Sequence, residues 1–215
     1  TKSEGIMNLS TKLDENIQYL RQTLPLERSF DLMTRDLFLG STKAFFLGVN
    51  GFCRTELLQR IFSDLQNPLY MTDEAVQDIE RYVSARLGYA QVSLADSWEV
   101  ILSAVLSGPV VLVIDGFDRA VLIDTRSYPT RSIAEPDLEK VTRGSRDGFV
   151  ETLLFNANLI RRRIRSTRLC FTMHSVGTES KTDVALAYLE GSVNNELLRK
   201  LSDTLDSLDV SSLTM

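Results

Sequence analysis

The residues of this 215-residue chain best equipped for chemistry are carboxylates and arginines. The run Val110-Val111-Leu112-Val113-Ile114-Asp115 has the apolar-strand-then-acid pattern that holds magnesium in nucleotide hydrolases. That chemistry also needs a glycine-rich phosphate loop ending in Lys-Ser/Thr. Gly48-Val49-Asn50-Gly51 is too short for one and has no lysine. Asp115 is therefore read as the first residue of a hairpin turn, with Gly116 supplying the positive φ such turns need. Asp115, Asp118 and Asp124 could gather around a divalent ion as in phosphatases with an aspartyl nucleophile, but those enzymes place two aspartates one residue apart at a strand end. Here Asp124 is followed by Thr125 and Arg126.

Nucleophilic catalysis is no better supported. His174 is the sole histidine and shares a predicted strand face with Cys170 and Thr172. Side chains four apart along a strand are separated by roughly 13 Å, too far for a Cys-His pair. Two basic motifs remain. Arg161, Arg162 and Arg163, followed by Ile164, Arg165 and Arg168, form the sharpest cluster. Such a run suits structural ion pairing or a subunit interface, anionic lipid head groups, or nucleic acid. The first is preferred, because arginines at a helix C-terminus suit the dipole and fork to carboxylates. In the second motif, Arg143-Gly144-Ser145-Arg146-Asp147-Gly148-Phe149, Ser145 or Asp147 could cap a helix and leave an anion site at its N-terminus. The plainer alternative is a self-contained linker in which Arg143 and Arg146 pair with Glu135, Asp137, Glu139 or Glu151. No catalytic set, metal site or cofactor site emerges.

The elements that must position these residues follow from periodicity. Leu13, Ile17, Leu20 and Leu24 predict a helix over 10–24, capped by Ser10 and stopped by Pro25. Two aromatic-rich runs, 30–39 and 43–50, predict a hairpin about Gly40-Ser41-Thr42. Helices are expected at about 53–65 and from Thr72 to Leu87, then a strand over 89–94. A helix capped by Asp96 runs to Leu106, and a strand pair turns at Asp115-Gly116-Phe117-Asp118. Residues 126–146 carry prolines and charges without an apolar period. A helix over 147–165 with Phe149, Leu153, Leu154, Ala157 and Ile160 on its apolar face follows. Strands over 169–176 and 182–189, a helix over 194–205 and a short apolar tail, with room for a last strand, complete the chain. The expected fold is mixed α/β: two subdomains, 1–128 and 147–215, each a hairpin-containing sheet packed by helices, joined by a linker over 129–146.

Composition sets the outer limits. Two cysteines exclude a disulfide framework and a cysteine-rich zinc site. A net charge of −5 argues against nucleic-acid binding through overall charge. No apolar run approaches the roughly 20 residues that span a bilayer. The start, Thr1-Lys2-Ser3-Glu4, has neither an initiator methionine nor a secretion signal, so an excised, intracellular piece is expected. Charge is uneven: residues 131–170 hold nine basic and five acidic residues, leaving fifteen basic and twenty-four acidic elsewhere. That asymmetry suggests a partner surface.

These stretches also resemble a known family. The Ile114-Asp115-Gly116 turn, Arg131 with Glu135-Pro136, the run Arg143 to Glu151, Asn156, and Leu159 to Arg165 are similar to the central segment of GerA-type spore germination proteins. The similarity continues to Gly177 and Ser180-Lys181-Thr182-Asp183 and includes the hairpin from Phe30-Asp31 to Gly51. Gly144-Ser145-Arg146, where the nutrient-receptor branch tends to carry Gly-Pro-Arg, and Tyr128-Pro129 favour the stage V sporulation protein AF branch. The resemblance implies a non-enzymatic, two-part α/β domain on the core side of the spore inner membrane, followed after residue 215 by transmembrane helices. It implies partnership with other germination-complex membrane subunits and self-association in the full-length protein, with no cofactor and no nucleic acid. On this reading the motif residues Asp115, Gly116, Arg131, Glu135, Pro136, Arg143, Gly144, Arg146, Asp147, Gly148, Phe149, Glu151, Asn156 and Arg161 to Arg163 serve interface or structural roles. A small-ligand sensor binding in the cleft between subdomains is the alternative.

Overall fold

The computed structural model describes residues 8–67, 76–126 and 148–213. Its first unit is a five-stranded sheet built from β1 (Leu32–Leu39), β2 (Thr42–Val49), β3 (Gln91–Ala95), β4 (Val110–Ile114) and β5 (Ala120–Asp124). The strand order is β1-β2-β4-β5-β3, and every pairing is antiparallel. β4 is buried along its whole length, which explains its unbroken apolar run: it sits mid-sheet with helices on both faces. Helices α1 (Leu13–Thr23) and α4 (Trp98–Ser107) cover one face, where Leu20, Ile101 and Val105 pack on Phe45, Leu47, Val111 and Val113. Helices α2 (Thr55–Leu65) and α3 (Ile79–Arg86) cover the other, packing Ile61, Leu65 and Val83 on Phe46, Leu112 and Ile114. Strict alternation along β2 and β4 divides their side chains between the two cores.

The second unit is smaller. Strands β6 (Leu169–Val176) and β7 (Thr182–Leu189) form an antiparallel hairpin, accompanied by α5 (Leu153–Arg163) and α6 (Asn195–Asp206). Its buried cluster is Ala157, Leu169 and Phe171, joined by the half-buried Ile160, Leu189 and Phe30 of the first unit. The mixed α/β class with helix-packed, hairpin-containing sheets agrees with the sequence reading. The expected boundary over 129–146 lies outside the described residues.

Several helix starts differ from expectation, and at α1, α3 and α5 a side chain ties the backbone at the start. Helix α1 begins at Leu13, whose N–H is received at 3.0 Å by Asp115 Oδ1 of the β4–β5 turn; the hydroxyl of Ser10 bonds Glu15 instead. Asp78 accepts from Arg81 N and starts α3 at Ile79, later than the expected Thr72. Ser97, not Asp96, precedes α4. Helix α5 begins at Leu153 rather than Asp147, because the Asn156 amide clamps Val150 in both directions: it accepts from Val150 N at 2.8 Å and donates to Val150 O at 2.7 Å. Phe149 is therefore off the helix and 71% exposed. Among the described residues no final strand follows α6; residues 210 and 211 accept backbone bonds from Thr178, Glu179 and Ser180.

Candidate functional site

The residues singled out in the sequence separate into three places. Asp115 and Gly116 form the β4–β5 turn. Gly116 adopts φ +88°, and besides the Asp115 bond its N–H donates to Thr11 O at 2.8 Å. The turn thus caps the N-terminus of α1 from about a hundred residues away in sequence, and Asp115 is an N-cap acceptor in trans. Asp115→Ala is expected to lower stability by about 1 kcal/mol, the usual value of a lost N-cap acceptor; urea denaturation measures it, with Asp118→Ala as the matched exposed control.

The second place is the seam between the two units, and it centres on Arg161. Alone among the three consecutive arginines, Arg161 is fully buried. Its Nε donates to Asp31 Oδ2 at 2.7 Å and one terminal nitrogen to Asp31 Oδ1 at 3.2 Å, a fork-to-fork pair with neither side chain exposed. The remaining donors reach Ser166 O at 3.0 Å and Leu169 O at 2.9 Å, and the guanidinium lies 5.3 Å from the Phe171 ring centroid. Asp31 is also bonded by the Ser29 hydroxyl at 2.5 Å. Ser29 in turn accepts from Phe171 N at 2.9 Å, and Phe30 N donates to Phe171 O at 3.1 Å. Beside this, Gly51 meets α5 so closely that a Cβ there would lie 2.2 Å from Asn158 Nδ2. Arg28 and Glu190 form a further ion pair at the rim.

In this seam Arg161 forms a structural ion pair inside its own chain, with Asp31 as the carboxylate. Sequence reasoning missed Ser29, Gly51, Asn158 and the partnership of Asp31. A signal existed in the acid of Ser29-Phe30-Asp31-Leu32, placed where an apolar run begins.

The third place is the surface. Arg162, Arg163, Ile164 and Arg165 are all exposed at the end of α5. Glu151 is exposed just before the helix and Gly148 is half-buried. Arg131, Glu135, Pro136, Arg143, Gly144, Arg146 and Asp147 lie outside the described residues. His174 sits on β6 with its Nδ1 2.8 Å from Asp206 Oδ1, joining the hairpin to α6. Cys170 is buried; Cys53 is half-buried, and loss of solvation pushes its thiol up to about 11, away from nucleophilic use. Among the described residues no three His, Cys, Asp or Glu side chains gather as a metal site, and no helix is long and apolar enough to cross a membrane. A cavity of about 560 Å³ is walled by Leu13, Thr42, Lys43, Asp115 and Phe117 among others, all from the first unit, so it is not a cleft between the units.

Comparison with known proteins places this geometry. A family model described as the Bacillus/Clostridium GerA spore germination protein matches residues 18–215. Stage V sporulation protein AF of Bacillus subtilis is 36% identical over 94% of the chain and 41% of its own length. Spore germination protein KA of the same organism is 28% identical over 95% of the chain and 38% of its own length, and a membrane protein, YfkQ, is 28% identical over 94% and 39%. The chain spans about two fifths of the length of these relatives. The crystal structure of the N-terminal domain of the A subunit of the Bacillus megaterium spore germinant receptor GerK3 superposes with a TM-score of 0.72, covering 96% of this chain and 75% of that one at 23% identity, a likeness of fold.

Proposed function

Because the chain belongs to the GerA family of Bacillus and Clostridium spore germination proteins, we propose that it is a non-enzymatic assembly domain of a spore-germination membrane complex, carried on the core side of the spore inner membrane. In this role the domain contributes contacts through which subunits of an ion-releasing complex associate or gate. The membrane-spanning part belongs to sequence outside this chain, a reading supported by the share of each relative the chain covers and by the name of one of them.

The observation that carries the proposal is the division of labour at the end of α5. Arg161 is buried and fixes the second unit on the first, while Arg162 and Arg163, one and two residues on, are held exposed by the same rigid helix. A basic surface that is locked in orientation is suited to pair with acidic groups of a neighbouring subunit. The groups weighed for chemistry have structural engagements: Asp115 caps α1 and His174 holds α6. In the same proposal Arg131, Glu135 and Pro136 belong to the stretch 129–143 that sets the angle between subdomains 1–128 and 147–215, and Arg143 and Arg146 join the arginines that pair with acidic groups of a neighbouring subunit.

The test is charge reversal. Arg162→Glu with Arg163→Glu is expected to reduce recovery of the oligomeric complex from membranes of sporulating cells by tenfold or more, with the circular dichroism of the domain unchanged. Recovery equal to that of the unaltered protein overturns the reading.

A further inference from the structure

Helices α2 and α3 run side by side on the outer surface of the first unit. The Tyr82 hydroxyl of α3 donates to Leu65 O at the end of α2 at 2.9 Å. Further back on α2, Arg60 stands over the ring of Tyr89, just past α3, at 4.1 Å from its centroid. Here a cavity of about 400 Å³ is lined by Arg60, Asp64, Ala85, Arg86 and Tyr89. Every lining residue belongs to the first unit, so the arginines that end α5 take no part.

Both arginines of the cavity are positioned in advance. The Arg86 guanidinium rests 3.7 Å from the centre of the Tyr82 ring, and one terminal nitrogen donates to Tyr82 O at 3.4 Å. An arginine laid on a ring keeps its fork of donors in its own plane, the geometry that takes carboxylate or phosphate oxygens in pairs. Arg60 Nε lies 3.6 Å from Asp64 Oδ2. Asp64 also accepts from the Tyr89 hydroxyl, and burial together with that bond pushes the phenol up to about 12. The one carboxylate of the wall is thus shared between Arg60 and Tyr89, and the lining carries two positive charges against one negative. In a chain of net charge −5 this is a local reversal of sign inside a hollow. Concave walls of one sign focus the field on whatever fills them.

The chemistry narrows the occupant. A single fork satisfies a planar carboxylate, whereas two forks from neighbouring elements suit a group with three terminal oxygens and a double charge. The volume exceeds what a bare phosphate fills and falls at the small end of organic-ligand pockets. We propose that the cavity between α2 and α3 binds the phosphate group of a phosphomonoester, with Arg60 and Arg86 as the donors to its oxygens. A soluble ester and a phosphomonoester lipid headgroup present the same chemistry. The inference is independent of the assembly reading, because neither Arg162 nor Arg163 enters it.

Calorimetric titration of the 215-residue chain with glycerol 3-phosphate tests the site, with glycerol and with sodium chloride at matched ionic strength as controls. A saturable isotherm with Kd below about 1 mM is expected. Ester at about ten times that Kd is expected to raise Tm by about 3 °C. Arg60→Gln and Arg86→Gln are each expected to weaken binding about tenfold or more with the circular dichroism unchanged. Ala85→Leu keeps both arginines and their rings but fills the hollow, and is expected to weaken binding to the same extent. Flotation with phosphatidylcholine vesicles, with and without phosphatidic acid, separates the two sources. Recruitment by phosphatidic acid that Arg86→Gln removes supports the site with a lipid as its ligand. Binding of the soluble ester without recruitment supports it with a free metabolite. Binding of neither form, an equal response to the controls, or binding indifferent to Arg86→Gln and Ala85→Leu overturns the proposal.

Discussion

Replacement of Arg161 by alanine is expected to cost about 3–5 kcal/mol of folding stability, the range for a buried ion pair that loses one partner. The magnitude follows from what is stranded. Asp31 is fully buried, and without the guanidinium its carboxylate keeps only the Ser29 hydroxyl, while Ser166 O and Leu169 O lose their donors. Asp31→Ala is expected to be comparably severe, because a buried guanidinium then has no counter-charge. Removing both together, as Asp31→Leu with Arg161→Met, is expected to cost far less than the sum of the two single changes, since no charge is left unpaired.

The damage is also expected to be local in a measurable way. Trp98, the only tryptophan, lies in the first unit, stacked on Tyr19 at 4.6 Å between ring centroids. In the Arg161 variant, its fluorescence transition in urea is expected to trail the circular dichroism transition, which also reports α5 and α6. Coincident transitions with a loss below about 1 kcal/mol would show that the pair does not hold the units together.

The second large effect is expected at Gly51. Its φ is +83°, a conformation that costs an L-residue roughly 1–2 kcal/mol, and an added Cβ would press on Asn158 at 2.2 Å. Overpacking of this kind adds about 1–3 kcal/mol. Gly51→Ala is therefore expected to destabilise the chain by about 2–4 kcal/mol and to loosen α5 from the 50–52 turn, read as faster amide exchange in α5. Asn158→Ala is the informative companion. Asn158 Oδ1 is buried without a hydrogen-bond partner, so its removal alone is expected to cost little. Combined with Gly51→Ala, it is expected to return the steric part of the loss and leave the backbone part. A double variant as unstable as Gly51→Ala alone would place the whole effect in the backbone.

Both predictions concern the same seam, and that seam explains how the surface is presented. Arginines on a loosely attached helix would sample many directions and lose rotational freedom on binding. With Arg161 locked and Asn158 seated on Gly51, α5 projects Arg162 and Arg163 from a fixed platform, which in the assembly role proposed above would leave only side chains to order.

Local patterns were legible from the sequence wherever one element could bury its own stripe. The hairpins 32–49 and 169–189, the fully apolar β4 and the leucine-rich helices follow from periods of 2 and 3.6 residues together with turn glycines, which depend on near neighbours alone. Family membership was legible for the same reason, being written in contiguous motifs. Helix starts were less so, because Asn156 and Asp115 choose partners that periodicity does not register.

What only the tertiary structure decided is which arginine turns inward. As sequence, Arg161, Arg162 and Arg163 are one cluster of equal charge. Their separation comes from the phase of α5, which turns each successive side chain by about 100°, and from a carboxylate at position 31. Once the chain brings Asp31 within 2.7 Å of Arg161, desolvation makes that pairing nearly obligatory, and the next two arginines are carried out to solvent by the geometry of the helix. A charge is assigned to core or surface by what lies across from it, 130 residues away in sequence, and no local pattern contains that information.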